Sequence, residues 1–137
     1  MLHNIQVTTF DMNRLFAMIE QLRKSGFRET ANLEKLEEEL ARSDEVAPSE
    51  VTADVVTMNS RVRLQDEASG QTLECNLVFP SEADASANRI SIVAPLGTAI
   101  LGYRVGDTVT WPMPGGERQY KIVEIAYQPE AAGDYHL

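Results

Sequence analysis

Apolar residues recur with two different spacings along this chain of 137 residues, and the spacing changes near Pro48. Before Pro48 the recurrence is at three- and four-residue steps, which place side chains on one face of an α-helix. The first such set consists of Leu15, Met18, Ile19 and Leu22. It predicts an amphipathic helix from about Phe10 to Lys24.

The ends of this first helix carry sequence signals of their own. Thr8, with Asp11 three residues later, resembles a capping box in which Asp takes the place of Glu. Gly26 favours the end of the helix, because glycine readily adopts the left-handed conformation that follows a last helical turn.

A second apolar stripe predicts a second helix, from about Glu29 to Asp44. The stripe consists of Leu33, Leu36 and Leu40. Glu38 and Arg42 are spaced to pair on the surface of this helix. Because only the segment SGFRE joins the two helices, we expect a short antiparallel, coiled-coil-like hairpin. At about 1.5 Å per residue, a helix of this length reaches about 24 Å.

Beyond Val55 the period becomes two, which is typical of strands with one face turned inward. In the stretch QTLECNLVF, residues 71–79, the inward set is Leu73, Cys75, Leu77 and Phe79. Further strands are predicted at about Ser60–Asp66, Arg89–Val93, Gly106–Trp111 and Glu117–Tyr127, with turns at Ala68–Gly70, Ser81–Asn88 and Pro114–Gly116. A short helix over Pro95–Leu101, ended by Gly102, crosses this antiparallel sheet. The fold class is α+β, with a helical part over residues 1–50 and a sheet domain over residues 51–137.

Composition and charge narrow the range of partners. The chain is 43% hydrophobic and 24% charged, so it can bury an ordinary core. It shows neither a membrane-length apolar run nor a secretory signal, and we expect a cytoplasmic protein without a membrane partner. Twelve basic and 21 acidic residues give a net charge of -9, and neither half is basic. Direct sequence-specific nucleic acid binding is therefore not expected, since it needs a concentrated basic face.

Residues with catalytic or metal-binding chemistry are few and scattered. Cys75 is the single cysteine and lies on the apolar face of its strand, where core filling is favoured over a nucleophile. The histidines, His3 and His136, lie at opposite ends of the chain. We therefore predict no catalytic residue, no metal site and no cofactor.

Other conspicuous residues have structural explanations. Gly97 and Gly102 are not followed by the Lys-Ser or Lys-Thr of a phosphate-binding loop, and we interpret them as packing and cap glycines. Trp111 suits a buried or half-buried strand position. Asp107 suits a turn in which its carboxylate accepts backbone hydrogen bonds. The acids of the second helix, Glu37, Glu38 and Glu39 among them, are either a solvated face or a binding surface.

The C-terminal half resembles a known family. The stretch PLGTAILGYRVGDTVTWPMPGGERQYKIVEI is similar to the C-terminal domain of the Gre transcript-cleavage factors, which also carry a preceding helical hairpin. The stretches DVVTMNSRVRL, VAPLGTAILGYRVGD and YQPEAAGDYHL resemble the branch of that family that comprises regulators of nucleoside diphosphate kinase.

The resemblance implies an FKBP-like fold for about residues 51–137. It also implies a protein partner, RNA polymerase, with this domain docked at the mouth of the secondary channel and the hairpin pointing inward. In Gre factors two acids at the hairpin tip help to hold a catalytic Mg²⁺ of the polymerase, a task that needs paired carboxylates.

The sequence departs from the Gre pattern at both functional segments. The hairpin tip reads Lys24, Ser25, Gly26, Phe27, Arg28 and Glu29, with one carboxylate and no acidic partner. The hairpin is also much shorter than in Gre factors. In the docking segment, Gre factors have Asp-Ser-Pro, whereas this chain has Val93, Ala94, Pro95 and Leu96. Because only the proline matches, we expect docking to depend on apolar packing at Pro95 and Leu96.

Several functional hypotheses follow. The leading one is a non-enzymatic regulator that binds RNA polymerase near the secondary channel, competes with Gre factors without stimulating cleavage, and influences nucleoside diphosphate kinase levels through transcription. A second is a direct modulator that binds that kinase or another enzyme through the acidic helical face. A third is a vestigial cleavage factor that uses Glu29 alone. A peptidyl-prolyl isomerase is a further alternative that rests on fold analogy.

Overall fold

The protein has an α+β architecture. The structure is a computed structural model, which describes residues 5–26, 30–113 and 115–137. Within these ranges a helical hairpin and a two-stranded sheet precede a five-stranded sheet with short helices. The predicted fold class is confirmed.

The first helix, α1, spans Thr9–Lys24 and confirms the predicted helix. Thr8 caps it, since its hydroxyl accepts a hydrogen bond from the Asp11 N–H at 3.1 Å. The predicted capping box is incomplete, because the Asp11 carboxylate accepts instead from Arg14 and from the distant Met58 N–H. Gly26, at φ +79°, follows the last turn as predicted.

The second helix, α2, spans Thr30–Ala41 and is shorter than predicted. The predicted extension to Asp44 is wrong, because β2, Asp44–Val46, pairs in parallel with β1, Gln6–Thr8. Strands of three residues are too short to show alternation. Arg42 bonds the Glu39 carboxylate at 2.8 Å rather than the predicted partner Glu38.

The two helices bury their apolar stripes. Among the residues of the two stripes, those almost fully buried are Leu15, Ile19, Leu33, Leu36 and Leu40. At the exposed surface, the Arg23 guanidinium donates two hydrogen bonds to the Glu37 carboxylate, at 2.7 and 2.9 Å. This pair joins α1 to α2 and lowers the pKa of Glu37.

The large sheet has the strand order β5-β4-β3-β7-β6. Its strands are β3 (Arg61–Asp66), β4 (Thr72–Val78), β5 (Arg89–Ser91), β6 (Thr108–Met113) and β7 (Gly116–Tyr127). Each predicted strand is present, with ends displaced by one or two residues. The pairing departs from the antiparallel expectation at one edge, where β5 runs parallel to β4. Two 3₁₀ turns, Pro80–Glu82 and Ala85–Ala87, carry the chain round between these strands.

Two further helices complete the fold. Of these, α3 spans Pro95–Ile100, and Gly102 follows it at φ +82°, as predicted. The other helix, α4, spans Pro129–Ala132 and was not predicted. The buried side chains of α1, α2, α3 and the sheet form one continuous hydrophobic cluster. No described helix has the length and apolar character needed to cross a membrane.

A buried charge ties α1 to the segment that precedes β3. Asp11 is 1% exposed and accepts hydrogen bonds from Arg14 at 2.5 Å and from the Met58 N–H at 3.1 Å. The Arg14 guanidinium lies over the rings of Phe10 and Phe79, at 3.9 and 4.8 Å from their centroids. Burial raises the pKa of Asp11 above its usual value of 3.8, against the opposing effect of Arg14.

Gly97→Ala should destabilise the protein strongly. A Cβ at position 97 would lie 2.2 Å from the Ser91 carbonyl oxygen, which is fixed backbone. We expect a loss of about 3 kcal/mol in the free energy of unfolding, measured by urea denaturation. Gly70→Ala is the control, because no atom lies within 4 Å of its Cβ position and its φ of +75° alone is unfavourable. That variant should lose about 1 kcal/mol. Equal losses would contradict the proposed backbone clash.

Asp11 should titrate above 3.8 in the folded protein. A carboxyl whose pKa is higher in the folded than in the unfolded chain binds its proton more tightly when folded. The stability that this protonation contributes is therefore greatest below the pKa of the unfolded chain. It is lost as the pH rises through the higher pKa of the folded protein. Asp11→Asn cannot titrate, so its stability should lack this decline as the pH rises above about 4. Carboxyl ¹³C NMR and urea unfolding of both proteins check this, and a midpoint at or below 3.8 would refute it.

Candidate functional site

The predicted docking segment, Val93 to Leu96, forms the turn into α3. Val93 and Leu96 are 7% and 8% exposed and belong to the core cluster. Ala94 is half-buried, and Pro95 at the first position of α3 is exposed. The apolar surface that this segment offers to a partner is therefore centred on Pro95, whereas Leu96 contributes mainly to the core.

Hydrogen bonds hold this segment in one conformation. The Ala94 N–H donates to the Ser91 carbonyl at 3.0 Å, and the Val93 N–H donates to the Ser91 hydroxyl at 3.2 Å. The Thr98 hydroxyl donates to the Ile92 carbonyl at 2.7 Å. A partner would consequently meet a preformed surface, which reduces the entropy lost on binding.

Asn32 connects the helical hairpin to this segment. Its side-chain amide donates to the Val93 carbonyl and, at 3.0 Å, to the Thr98 hydroxyl. Because Asn32 lies in the first turn of α2, the tip end of the hairpin lies beside the docking segment. Sequence reasoning missed Asn32, since nothing in its neighbours points to an acceptor 61 residues away.

The hairpin tip is described in part. Lys24 forms an exposed ion pair with Glu20 at 3.3 Å, and the Ser25 hydroxyl donates to the Leu22 carbonyl at 2.9 Å. Of the other predicted tip residues, Gly26 is exposed, while Phe27, Arg28 and Glu29 lie outside the described residues. His3 lies outside them as well. The part of the chain that is described contains no group of three or more acidic, His or Cys side chains arranged to hold a metal ion.

The acidic face of α2 is partly neutralised within the chain. Glu37 is bonded to Arg23, and Glu39 to Arg42. Glu38 is exposed. The face therefore offers a partner less free negative charge than its composition indicates.

The remaining candidates have structural roles. Cys75 is 1% exposed, and burial raises the pKa of its thiol to about 12, so the reactive thiolate is disfavoured at neutral pH. Asp107 accepts a hydrogen bond from the Arg104 N–H at 2.8 Å, as predicted for a turn. Trp111 is 9% exposed and stacks on Tyr120 with ring centroids 4.5 Å apart. Within the described ranges this is the one stacked aromatic pair, and it lies on the sheet.

Two family models match the chain. The model described as "Transcription elongation factor, GreA/GreB, C-term" matches residues 51–127. The model described as "Rnk N-terminus" matches residues 3–46. The two matches together cover the sheet and the helical hairpin.

Individual relatives agree with these matches. The regulator of nucleoside diphosphate kinase of Escherichia coli (strain K12) is 39% identical over 134 residues, which are 97% of this chain and 96% of the relative. The transcription inhibitor protein Gfh1 of Thermus aquaticus is 35% identical over 109 residues, 78% of this chain and 68% of the relative. A solved structure of a prokaryotic transcription elongation factor GreA/GreB from Nitrosomonas europaea is 41% identical, with a TM-score of 0.75 and coverage of 90% of this chain and 99% of that one.

Asn32→Ala should loosen the docking segment without unfolding the protein. The Val93 carbonyl loses its side-chain donor, and we expect a loss of about 1 kcal/mol in the free energy of unfolding. Amide hydrogen exchange should quicken at Ala94 and Thr98, whose N–H groups report the order of this segment. Glu38→Ala is the matched control, because Glu38 is an exposed residue of the same helix. Unchanged exchange at both amides in Asn32→Ala would show that the amide contact does not hold the segment.

Proposed function

The chain belongs to the GreA/GreB family of transcription factors, and on this basis we propose that it is a cytoplasmic, non-enzymatic regulator that binds RNA polymerase. It docks near the secondary channel through the surface around Pro95. There it competes with Gre factors and does not stimulate transcript cleavage.

The observation that supports this proposal is a preformed docking segment combined with a tip that has no pair of acids. The segment from Val93 to Leu96 is held by backbone and side-chain hydrogen bonds. The tip sequence KSGFRE contains a single carboxylate, that of Glu29. Holding a catalytic Mg²⁺ takes paired carboxylates, and this tip supplies one. We therefore infer that the chain binds the polymerase without stimulating cleavage.

The position of the hairpin also supports polymerase binding without cleavage. The bond from Asn32 to the Val93 carbonyl keeps the tip end of α2 against the docking segment. Helix α1 has 16 residues and is therefore about 24 Å long. The tip therefore stays near the docked surface and does not extend far from it.

An effect on nucleoside diphosphate kinase follows from this mode of action. Relatives over nearly the whole chain are named as regulators of that enzyme. A factor that binds the polymerase changes the amount of an enzyme by changing its transcription, without contacting the enzyme itself. We therefore place the effect at transcription.

Pro95→Glu should weaken the binding of purified protein to core RNA polymerase. Pro95 occupies the first position of α3, where Glu is compatible with a helix, so the fold should be retained. Loss of an apolar contact at the centre of the surface should lower the affinity roughly tenfold, or about 1.4 kcal/mol. Glu38→Lys is the control and should bind as the unaltered protein does. A Gre factor added in excess should displace the unaltered protein.

Other outcomes point to other functions. If Glu38→Lys abolishes binding while Pro95→Glu does not, the acidic helical face is the interface. If the chain does not bind the polymerase at all, the proposed function is wrong and nucleoside diphosphate kinase becomes the partner to test. In stalled, backtracked complexes we expect no shortened transcripts. Shortening that is lost in Glu29→Ala would establish a vestigial cleavage factor.

A further inference from the structure

The outer edge of β6 is an unoccupied strand edge. In the sheet order this strand has β7 on one side and no strand on the other. The Ile122 N–H donates to the Asp107 carbonyl at 2.9 Å, so position 107 faces β7. Because backbone groups alternate along a strand, Val109 and Trp111 also face β7, whereas Thr108 and Thr110 face outward.

The outward groups are free to bond a partner. By this alternation the backbone N–H groups of Thr108 and Thr110 point away from β7, on the side where the described sheet has no further strand. The next outward position, 112, is proline. Its missing N–H costs the sheet nothing at an outer edge and marks where strand addition would stop.

A cleft of about 160 Å³ runs beside this edge. The β6 edge forms one wall, and side chains of α2 and α3 form the others. The lining residues that matter here are Lys35, Glu39, Thr98, Tyr103, Thr108 and Thr110. The cleft is thus bounded by hydroxyl groups, by a half-buried Tyr103 and by two side chains of opposite charge.

The cleft is lined by one charge of each sign, Lys35 and Glu39. Glu39 is held by Arg42 at 2.8 Å. Lys35 is exposed and forms no ion pair with any other residue of the described ranges. An acidic group that enters beside β6 therefore finds an unpaired ammonium group.

We propose that the β6 edge binds an extended segment of a protein partner as an added strand, with an acidic side chain of that segment facing Lys35. The backbone groups of Thr108 and Thr110 supply the ladder, and the cleft receives the alternate side chain. A second copy of this chain is a poorer occupant, since two molecules of net charge -9 repel each other. Pro95 does not line the cleft, and the test of the site uses a peptide and not the polymerase.

The experiment uses the full chain labelled with ¹⁵N and a capped six-residue peptide of alternating Thr and Val that contains one Glu. At millimolar peptide, amide exchange should slow at Thr108 and Thr110. It should be unchanged at Val109, whose backbone groups already face β7. The same peptide with N-methyl groups along the edge that faces β6 should give no protection.

Charge variants test the role of Lys35. Replacing the peptide's Glu by Lys should weaken binding roughly two- to fivefold, as expected for one partly exposed ion pair. Lys35→Glu should reverse that preference, while Glu34→Lys on the same helix should leave it unchanged. Three results would overturn the proposal: no protection with any peptide, equal protection with the N-methylated peptide, or protection that grows with protein concentration alone.

Discussion

The burial of the leucine stripe of α2 is the constraint on which the rest of the structure depends. Leu33, Leu36 and Leu40 are each at most 2% exposed. Two helices of 16 and 12 residues cannot bury these side chains completely by packing on each other. The sides of each helix that do not face the other remain in contact with water. The stripe is covered because α2 packs against α1 and α3, within a cluster that also includes residues of the large sheet. The hairpin is therefore a layer of the fold.

Apolar burial is non-directional, so polar contacts select one arrangement of these layers. Asp11 reaches the Met58 N–H, and Asn32 reaches the Val93 carbonyl. Each joins a helix of the hairpin to the segment next to it in space, and a wrong arrangement would leave a buried polar group without a partner. Gly97 permits the close approach that this geometry requires, because a side chain there would meet the Ser91 carbonyl.

The same contacts connect fold to function. They place the tip end of the hairpin beside the docking segment, so one partner surface can meet both. They also leave Pro95 exposed while Leu96 fills the core. Pairing with Arg23 and Arg42 neutralises part of the negative charge on the exposed face of α2. The cleft beside β6 contains the charge of Lys35. The two proposals place one partner surface around Pro95 and another along the edge of β6.

The sequence by itself determined the elements whose signals are local. The helical stripes, the cap at Thr8, the alternation around Cys75 and the positive φ of Gly26 all depend on residues a few positions apart. Tertiary structure alone decided the parallel pairings of β2 and β5 and the roles of Asp11 and Asn32. These contacts join positions up to 66 residues apart. The sequence does not reveal them, because the partner of each polar group is set by which layers meet and not by the residues beside it.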